Sequence, residues 1–204
     1  MEKAEIARLL RPFGETGDQG LESISIYIDL LLKWTRKINL TAVRDPKEIV
    51  TRHFGESLFA ATHLLPPNWR GAVIDVGSGA GFPGLPMAMS CSTASVTLIE
   101  SQGKKAAFLK EVIYALALKN VSVFNGRAEG FPSQGDLVTL RAVEQFEKVL
   151  PISIKLVKRG GSLGLMIGKS QIEAARQLLS TVEWKQPLEV PGGHSRALLI
   201  GINS

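Results

Sequence analysis

The chain has 204 residues, of which 45% are apolar and 21% charged, so it is long and apolar enough for a globular domain with a buried core. Its net charge of +5 is compatible with a polyanionic partner but does not require one. Its single cysteine, Cys91, excludes an internal disulfide and a cysteine-based metal cluster, and it favours a reducing cytoplasm.

The first third of the chain is predicted to be helical. Apolar residues at helical spacing and helix-breaking residues predict helices over residues 3–11, over residues 21–38 and, in two pieces separated by Gly55, over residues 45–65. Asp45 is the predicted N-cap of the third segment, and Pro46 takes its first helical position. We therefore expect residues 1–66 to form a helical extension that precedes a Rossmann-like domain at residues 67–204.

The remainder of the chain alternates between strand and helix patterns. Strands are predicted at 73–77, 96–100, 121–124, 137–140 and 163–167, with helices at 84–90, 104–118, 147–157 and 171–179. Such alternation predicts an α/β fold with a parallel sheet. Two final strands, 184–190 and 196–202, flank Pro191-Gly192-Gly193 and are predicted to pair as a hairpin. A closing hairpin differs from a dinucleotide fold, which usually continues with another strand–helix unit.

A glycine-rich stretch follows the first of these strands. Its sequence is Val73-Ile74-Asp75-Val76-Gly77-Ser78-Gly79-Ala80-Gly81-Phe82-Pro83-Gly84. Strand, glycine turn and helix together let the backbone approach a nucleotide cofactor and present unpaired N–H groups to it. With a second acid, Glu100, at the end of the next strand, the pattern resembles the first two motifs of S-adenosylmethionine-dependent methyltransferases. A glycine-rich loop without a ligand is the alternative.

The ends of the parallel strands would form the cofactor site, because ligands of open parallel sheets bind there. Asp75 would orient the glycine loop or the cofactor's amino group, and Glu100 would accept the ribose hydroxyls. Ala128 and Glu129 lie where an adenine would rest. An NAD-dependent dehydrogenase would use the same acid, but nothing after residue 150 resembles a substrate domain.

The acceptor atom is restricted by two absences. Methyl transfer to a carbon such as cytosine C5 usually needs a cysteine nucleophile, and Cys91 follows the first helix of the sheet domain, far from the strand ends. Exocyclic amine methyltransferases commonly carry Asn/Asp-Pro-Pro-aromatic after the fourth strand, where this chain has Thr139-Leu140-Arg141-Ala142. A ring nitrogen such as guanine N7 needs neither a nucleophile nor a general base, so we expect no catalytic base and no metal.

A more specific resemblance rests on several motifs together. They are Asn39-Leu40-Thr41-Ala42-Val43-Arg44-Asp45-Pro46, Arg52-His53-Phe54, the stretch from Asp75 to Pro86, residues 100–109, Gly126-Arg127-Ala128-Glu129 and Arg141-Ala142. These resemble the RsmG (GidB) family of bacterial methyltransferases, which act on guanine N7 in 16S small-subunit ribosomal RNA. The chain departs from the family pattern at Leu140, often a serine, and at Gly168-Lys169, where Lys-Gly is common.

The resemblance implies a cofactor, a substrate and a set of contacts. S-adenosyl-L-methionine would contact Gly77, Phe82, Ala128, Glu129 and Arg141, beside Asp75, Gly79 and Glu100. The partner would be 16S ribosomal RNA or a small-subunit assembly particle, bound by a cytoplasmic monomer with no membrane association. An RNA-binding protein with an inactive cofactor fold is the non-enzymatic alternative.

RNA affinity is expected from cations around the mouth of the cleft, through phosphate contacts. The candidates are Arg36, Lys37, Arg44, Arg52, His53, Lys104, Lys105 and Arg127. His53 is more typical of a partly buried structural histidine, although its neighbour Arg52 keeps a place in the cleft open. The target guanine is expected in a loop or flipped out of its helix, because a stacked base cannot reach a deep pocket.

Overall fold

The computed structural model describes residues 1–142, 145–193 and 195–204, and it begins with a group of helices. These are α1 (Lys3–Leu10), α2 (Asp18–Thr35), α3 (Pro46–Glu48), a π-helix (Ile49–Gly55) and α4 (Glu56–Leu64). Asp45 is the N-cap of α3, since its side chain accepts a hydrogen bond from Lys47 N, as predicted. The π-helix was not foreseen. Within the described ranges, no helix is both long and apolar enough to cross a membrane.

A mixed eight-stranded sheet follows. Its strands are β1 (Ala72–Val76), β2 (Ser95–Glu100), β3 (Val121–Asn125), β4 (Gly135–Arg141), β5 (Val157–Gly168), β6 (Glu183–Trp184), β7 (Leu188–Glu189) and β8 (Arg196–Ile202). The order is β3-β2-β1-β4-β5-β8-β6, with β7 also paired to β8. Strands β1 to β5 pair in parallel and β8 runs antiparallel to β5, which confirms the predicted α/β fold.

Four helices connect the strands. They are α5 (Gly84–Ser90), α6 (Gly103–Ala115), α7 (Phe146–Lys155) and α8 (Ile172–Leu178). Because parallel strands require crossovers, these helices cover the sheet, and the carboxyl ends of β1 to β5 lie at one edge. That edge carries Gly77, Glu100, Arg127 and Arg141, which brings the predicted strand-end residues to one side of the molecule.

Two details of the sheet differ from the sequence prediction. Gly160 and Gly161 do not turn the chain but lie inside β5, which begins at Val157, and Gly160 has a φ of 76°. The predicted strand 184–190 is divided into β6 and β7. Pro187 lies between them and has no N–H to donate to β8, which explains the interruption.

The core is divided by the sheet into two apolar clusters. Along β1, Val73 joins the cluster on one face, whereas Ile74 and Val76 join the cluster on the other, as the alternation of a strand requires. The first cluster also contains buried residues of α1, α2, the π-helix and α4. The N-terminal helices therefore share a continuous core with one face of the sheet.

Candidate cofactor and acceptor site

The loop after β1 is held in a conformation that suits glycine. Gly77, Gly79 and Gly81 have φ values of 68°, 54° and 89°, a region that L side chains adopt only with strain. Ser78 N donates to Ile99 O at 3.0 Å, so the loop lies across the end of β2. The glycine loop, residues 77–84, thus exposes backbone at the carboxyl edge of the sheet.

Asp75, near the end of β1, fixes the position of this loop by hydrogen bonding. Its carboxylate is 0% exposed and accepts hydrogen bonds from Thr139 Oγ1 at 2.8 Å and from Gly84 N at 3.3 Å. Burial raises the pKa of Asp75 from 3.8 to about 6, while its hydrogen bonds to Thr139, Ser78 and Gly84 oppose this shift. Of its two predicted roles, these contacts support the one that orients the loop.

Gly84 has no space for a side chain. A Cβ at this position would lie 2.8 Å from Asp75 Oδ2 and would overlap Leu98 Cδ2. Residue 84 must therefore be glycine for Asp75 to reach the backbone of α5.

Glu100 connects the loop to the end of β2. Its Oε2 accepts from Gly79 N at 2.9 Å and its Oε1 from Gln102 N at 2.7 Å, and the residue is only 5% exposed. The backbone oxygen of Glu100 accepts from Asn125 Nδ2 at 2.9 Å and from Gly126 N at 3.1 Å. This carboxylate and the end of β3 are consequently neighbours.

The residues predicted to hold an adenine follow directly. Ala128 and Glu129 begin a 3₁₀ turn, Ala128–Gly130, in which Ala128 is buried and Glu129 exposed. A glycine loop, a carboxylate and a turn on three adjacent strands fit a nucleoside cofactor whose amino-acid part lies on the loop.

An aromatic cluster lies behind the glycine loop and comes mostly from the N-terminal helices. Tyr27 Oη donates to Ala80 O at 2.5 Å, and burial raises the pKa of Tyr27 well above its ordinary value, so the hydroxyl stays a donor. The Phe82 ring is stacked between Tyr27, with centroids 5.2 Å apart, and His53, at 4.9 Å. The ring of Phe82 thus packs towards these helices, and a cofactor contact by this residue would use its backbone.

His53 does not have the surroundings of a phosphate-binding cation. Its Nε2 lies 2.8 Å from Thr41 Oγ1, and its buried Nδ1 has no hydrogen-bond partner among the residues that the structure describes. Burial, with Arg141, Arg52 and Arg196 nearby, lowers the pKa of His53 to about 3. The imidazole is neutral at physiological pH and stacks on Phe82, so an RNA contact by His53 would not be ionic, and that contact stays a prediction.

A buried carboxylate that the sequence analysis missed lies at the end of β4. Glu56 is 2% exposed and pairs with two arginines: Arg141 Nη2 at 3.1 Å and Arg196 Nε at 2.7 Å. Arg141 Nη2 also donates to Arg52 O at 2.5 Å. Arg141 is therefore directed towards the helices, and its predicted contact with the cofactor stays a prediction.

These residues enclose a cavity of about 170 Å³ at the carboxyl ends of β4 and β5. Its lining includes Arg52, Glu56, Arg141, Phe146, Met166 and Arg196, and we call it the arginine cavity. The spacing Arg52-x-x-x-Glu56, which places both side chains on one helix face, was the signal in the sequence that could have indicated Glu56. Arg196 carried no comparable local signal.

The other predicted RNA-binding cations are distributed over several elements. Arg44 Nη1 donates to Thr35 O at 3.1 Å and Arg52 Nη1 pairs with Glu48 at 2.8 Å. Arg36, Lys37, Lys104 and Arg127 are exposed, and Lys105 is partly buried. Within residues 1–142, 145–193 and 195–204 these cations share no hydrogen-bond or ion-pair partner, and their RNA contacts stay predictions.

Two further residues bear on the chemistry. Cys91 Sγ donates to Trp69 O at 3.4 Å, near the start of β1 and so at the edge opposite the glycine loop. Lys169, whose position departs from the family pattern, pairs with Glu189 at 2.6 Å. In the ranges that the structure covers, no group of three histidine, cysteine or acidic side chains could hold a metal ion.

Fold and site together define a class I S-adenosylmethionine-dependent methyltransferase. Solved structures with this fold include M. jannaschii TYW2 in complex with AdoMet, with a TM-score of 0.60, 17% identity and coverage of 82% of this chain and 78% of that one. P. horikoshii TYW2 in complex with MeSAdo gives a TM-score of 0.58, 19% identity and coverage of 73% and 61%.

The chain belongs to the GidB family, described as rRNA small subunit methyltransferase G, whose model matches residues 20–198. The ribosomal RNA small subunit methyltransferase G of Xylella fastidiosa (strain 9a5c) is 40% identical over 169 residues, with coverage of 81% of this chain and 78% of that protein. The protein of the same name from Xanthomonas axonopodis pv. citri (strain 306) is 40% identical over 170 residues, with the same coverage.

Proposed function

We propose that this protein transfers the methyl group of S-adenosylmethionine to N7 of a guanine in 16S small-subunit ribosomal RNA. The observation that carries the proposal is the family match over most of the chain. The hydrogen bond from Gly79 N to Glu100, which joins the glycine loop to the end of β2, supports it. The nearby arginine cavity provides a place for the acceptor base.

The cofactor residues have separable tasks in this proposal. Gly77 and Gly79 present backbone to the methionine part, and Asp75 holds that loop through Gly84 N. Glu100 accepts the ribose hydroxyls, with Ala128 and Glu129 at the adenine. Arg141 lies between this site and the arginine cavity, where its positive charge suits a carboxylate or a base acceptor.

The reaction needs little from the protein beyond alignment. The cofactor, when bound, supplies an activated methyl group on a sulfonium. Guanine N7 has a free lone pair, so no proton leaves the attacking atom and no general base is required. Arg141 cannot remove a proton at neutral pH, and His53, although neutral, has no proton to take from N7. The chain's contribution is to hold the base in line and to exclude water.

Substitution of the acceptor atom tests the N7 assignment. Wild-type protein should methylate small-subunit RNA that carries guanine at the mapped target and should fail on RNA with 7-deazaguanine there, while binding both alike. Single-turnover rates at saturating cofactor should stay nearly level from mildly acidic to mildly basic pH. Methylation of the 7-deaza RNA would show that another atom is the acceptor.

The absence of methyl transfer would favour a different function. A protein that binds RNA with an inactive cofactor fold would retain 16S RNA, yet labelled methyl groups would not reach it. Naked RNA and assembled small-subunit particles should both be assayed, because either could be the substrate form.

We further propose that the protein acts as a cytoplasmic monomer with residues 1–66 as a helical extension of the methyltransferase domain at 67–204. The shared apolar core supports this arrangement, since the extension would bury its face against the sheet within one chain. Sedimentation of the purified protein tests the monomer.

A further inference from the structure

A second cavity adjoins the arginine cavity and opens to solvent. It has a volume of about 470 Å³ and lies between α1, the π-helix and residues 191–192. Its lining includes Arg8, Thr51, Arg52, Gly192 and Arg196, and we call it the α1 groove. Arg52 and Arg196 line both cavities, so the two spaces meet at these side chains.

The charge balance around the groove is positive. Five cations share three carboxylates, in the pairs Arg8–Glu5, Lys47–Glu5, Arg52–Glu48, Arg141–Glu56 and Arg196–Glu56. Glu5 lies 2.9 Å from Lys47 Nζ but 4.0 Å from Arg8 Nη2, so its charge is directed mainly to Lys47. Arg8, with 68% of its side chain exposed, is left weakly compensated at the rim.

These cations are also able to change partners. The pairs of Arg8 and Arg52 are exposed, and exposed ion pairs contribute little free energy, so a phosphate can replace the carboxylate at small cost. At the inner end, Arg52 and Arg196 line both cavities, so two cations flank the mouth of the arginine cavity. A chain of negative charges would meet Arg8 in the groove and Arg52 and Arg196 at its inner end.

We propose that the α1 groove binds the RNA strand beside the target nucleotide, with Arg8, Arg52 and Arg196 at its phosphates. The inference rests on the proposed RNA substrate and deepens it, because it adds Arg8 and Arg196 to the predicted cations and gives the strand a path from α1 to the arginine cavity. A strand in the groove passes its phosphates over Arg8 first, and the base that enters the arginine cavity follows at Arg52 and Arg196.

The test compares two arginines of the same helix end. Arg8 lines the groove, whereas Arg11, three residues later, is exposed and is not part of its lining. Affinity for a 16S RNA transcript is measured for wild type, Arg8→Gln and Arg11→Gln between about 50 and 200 mM salt. Thermal melting of each variant and calorimetry with S-adenosylmethionine serve as controls for folding and for the cofactor site.

Arg8→Gln should weaken RNA binding several-fold and reduce the slope of log affinity against log salt by about 0.7 to 0.9, the value of one phosphate contact. Arg11→Gln should leave the RNA affinity and the salt slope unchanged. Arg8→Glu should weaken RNA binding more than Arg8→Gln does. Equal RNA affinities and salt slopes of Arg8→Gln and Arg11→Gln would contradict the proposal that the α1 groove binds RNA. Wild-type RNA binding that does not respond to salt would contradict it as well. A failure of the proposed methyl transfer would be detected separately from a failure of the groove, because methyl transfer by wild type is measured on the same transcript.

Discussion

Replacement of Asp75 by asparagine is expected to stabilise the folded protein near neutral pH. The carboxyl group is fully buried, and its pKa is raised from 3.8 to about 6. Each pKa unit corresponds to about 1.4 kcal/mol, so ionisation of the buried group costs on the order of 3 kcal/mol at pH 7. Asparagine cannot ionise, yet it keeps an oxygen for Gly84 N and an amide next to Thr139 Oγ1.

The sign of the pH dependence follows from proton binding. Between 3.8 and about 6 the folded state holds this proton more tightly than the unfolded state, so the free energy of unfolding falls as pH rises through that window. Above it the contribution is level. The difference in unfolding free energy, Asp75→Asn minus wild type, should therefore grow by up to about 3 kcal/mol between acid and neutral pH.

Urea unfolding of both proteins across this pH range measures the difference directly. Asp136→Asn is the matched control, because Asp136 accepts from Ala72 N at the other end of β1 and its pKa is lowered by that bond and by Lys158. Loss of the Asp136 carboxylate should destabilise the protein more at neutral pH than in acid, so the pH dependence of this variant has the opposite sign. A pH-independent difference for Asp75→Asn would refute the burial argument, and a reversed sign would show that hydrogen bonds to the carboxylate outweigh burial.

Substitutions at three further residues, Glu100, Gly84 and Tyr27, test the site. Glu100→Ala should raise the dissociation constant of S-adenosylmethionine, measured by calorimetry, tenfold or more, which corresponds to about 1.4 kcal/mol. Glu100→Gln separates the effect of the charge from that of the side-chain shape. Unchanged affinity would show that Glu100 does not bind the cofactor. Gly84→Ala should lower the free energy of urea unfolding by about 1–3 kcal/mol, whereas Gly130→Ala, with open space around it, should not. Tyr27→Phe should cost about 1–3 kcal/mol by leaving Ala80 O unpaired, and a smaller effect would mean that water replaces the hydroxyl.

The sequence predicts well what its local patterns control. The alternation of strands and helices, the Asp45 cap and the glycine loop follow from nearest neighbours along the chain, and these features agree with the structure. Positive φ angles at Gly77, Gly79 and Gly81 explain the glycines of that loop.

Contacts between residues that are far apart along the chain could not be predicted from the sequence. Arg141 and Glu56 are 85 positions apart, and Tyr27 and Ala80 are 53 apart, so no spacing rule relates them. The neutral state of His53 likewise depends on burial against Phe82 and on arginines from three segments. The pairing of Arg141 and Arg196 with one carboxylate, Glu56, arises only in the tertiary structure.

The hydrogen bond from Tyr27 to Ala80 has a consequence for protein engineering. Because Tyr27 of α2 donates to the backbone of the glycine loop, the sheet domain cannot be transferred to another protein without the N-terminal helices. A chimera that takes its N-terminal helices from one relative and its sheet from another must keep a phenol at 27 and a matching ring at 82, which stack 5.2 Å apart. Compatibility between the two donors would depend on this aromatic pair, although neither ring belongs to the strands that define the fold.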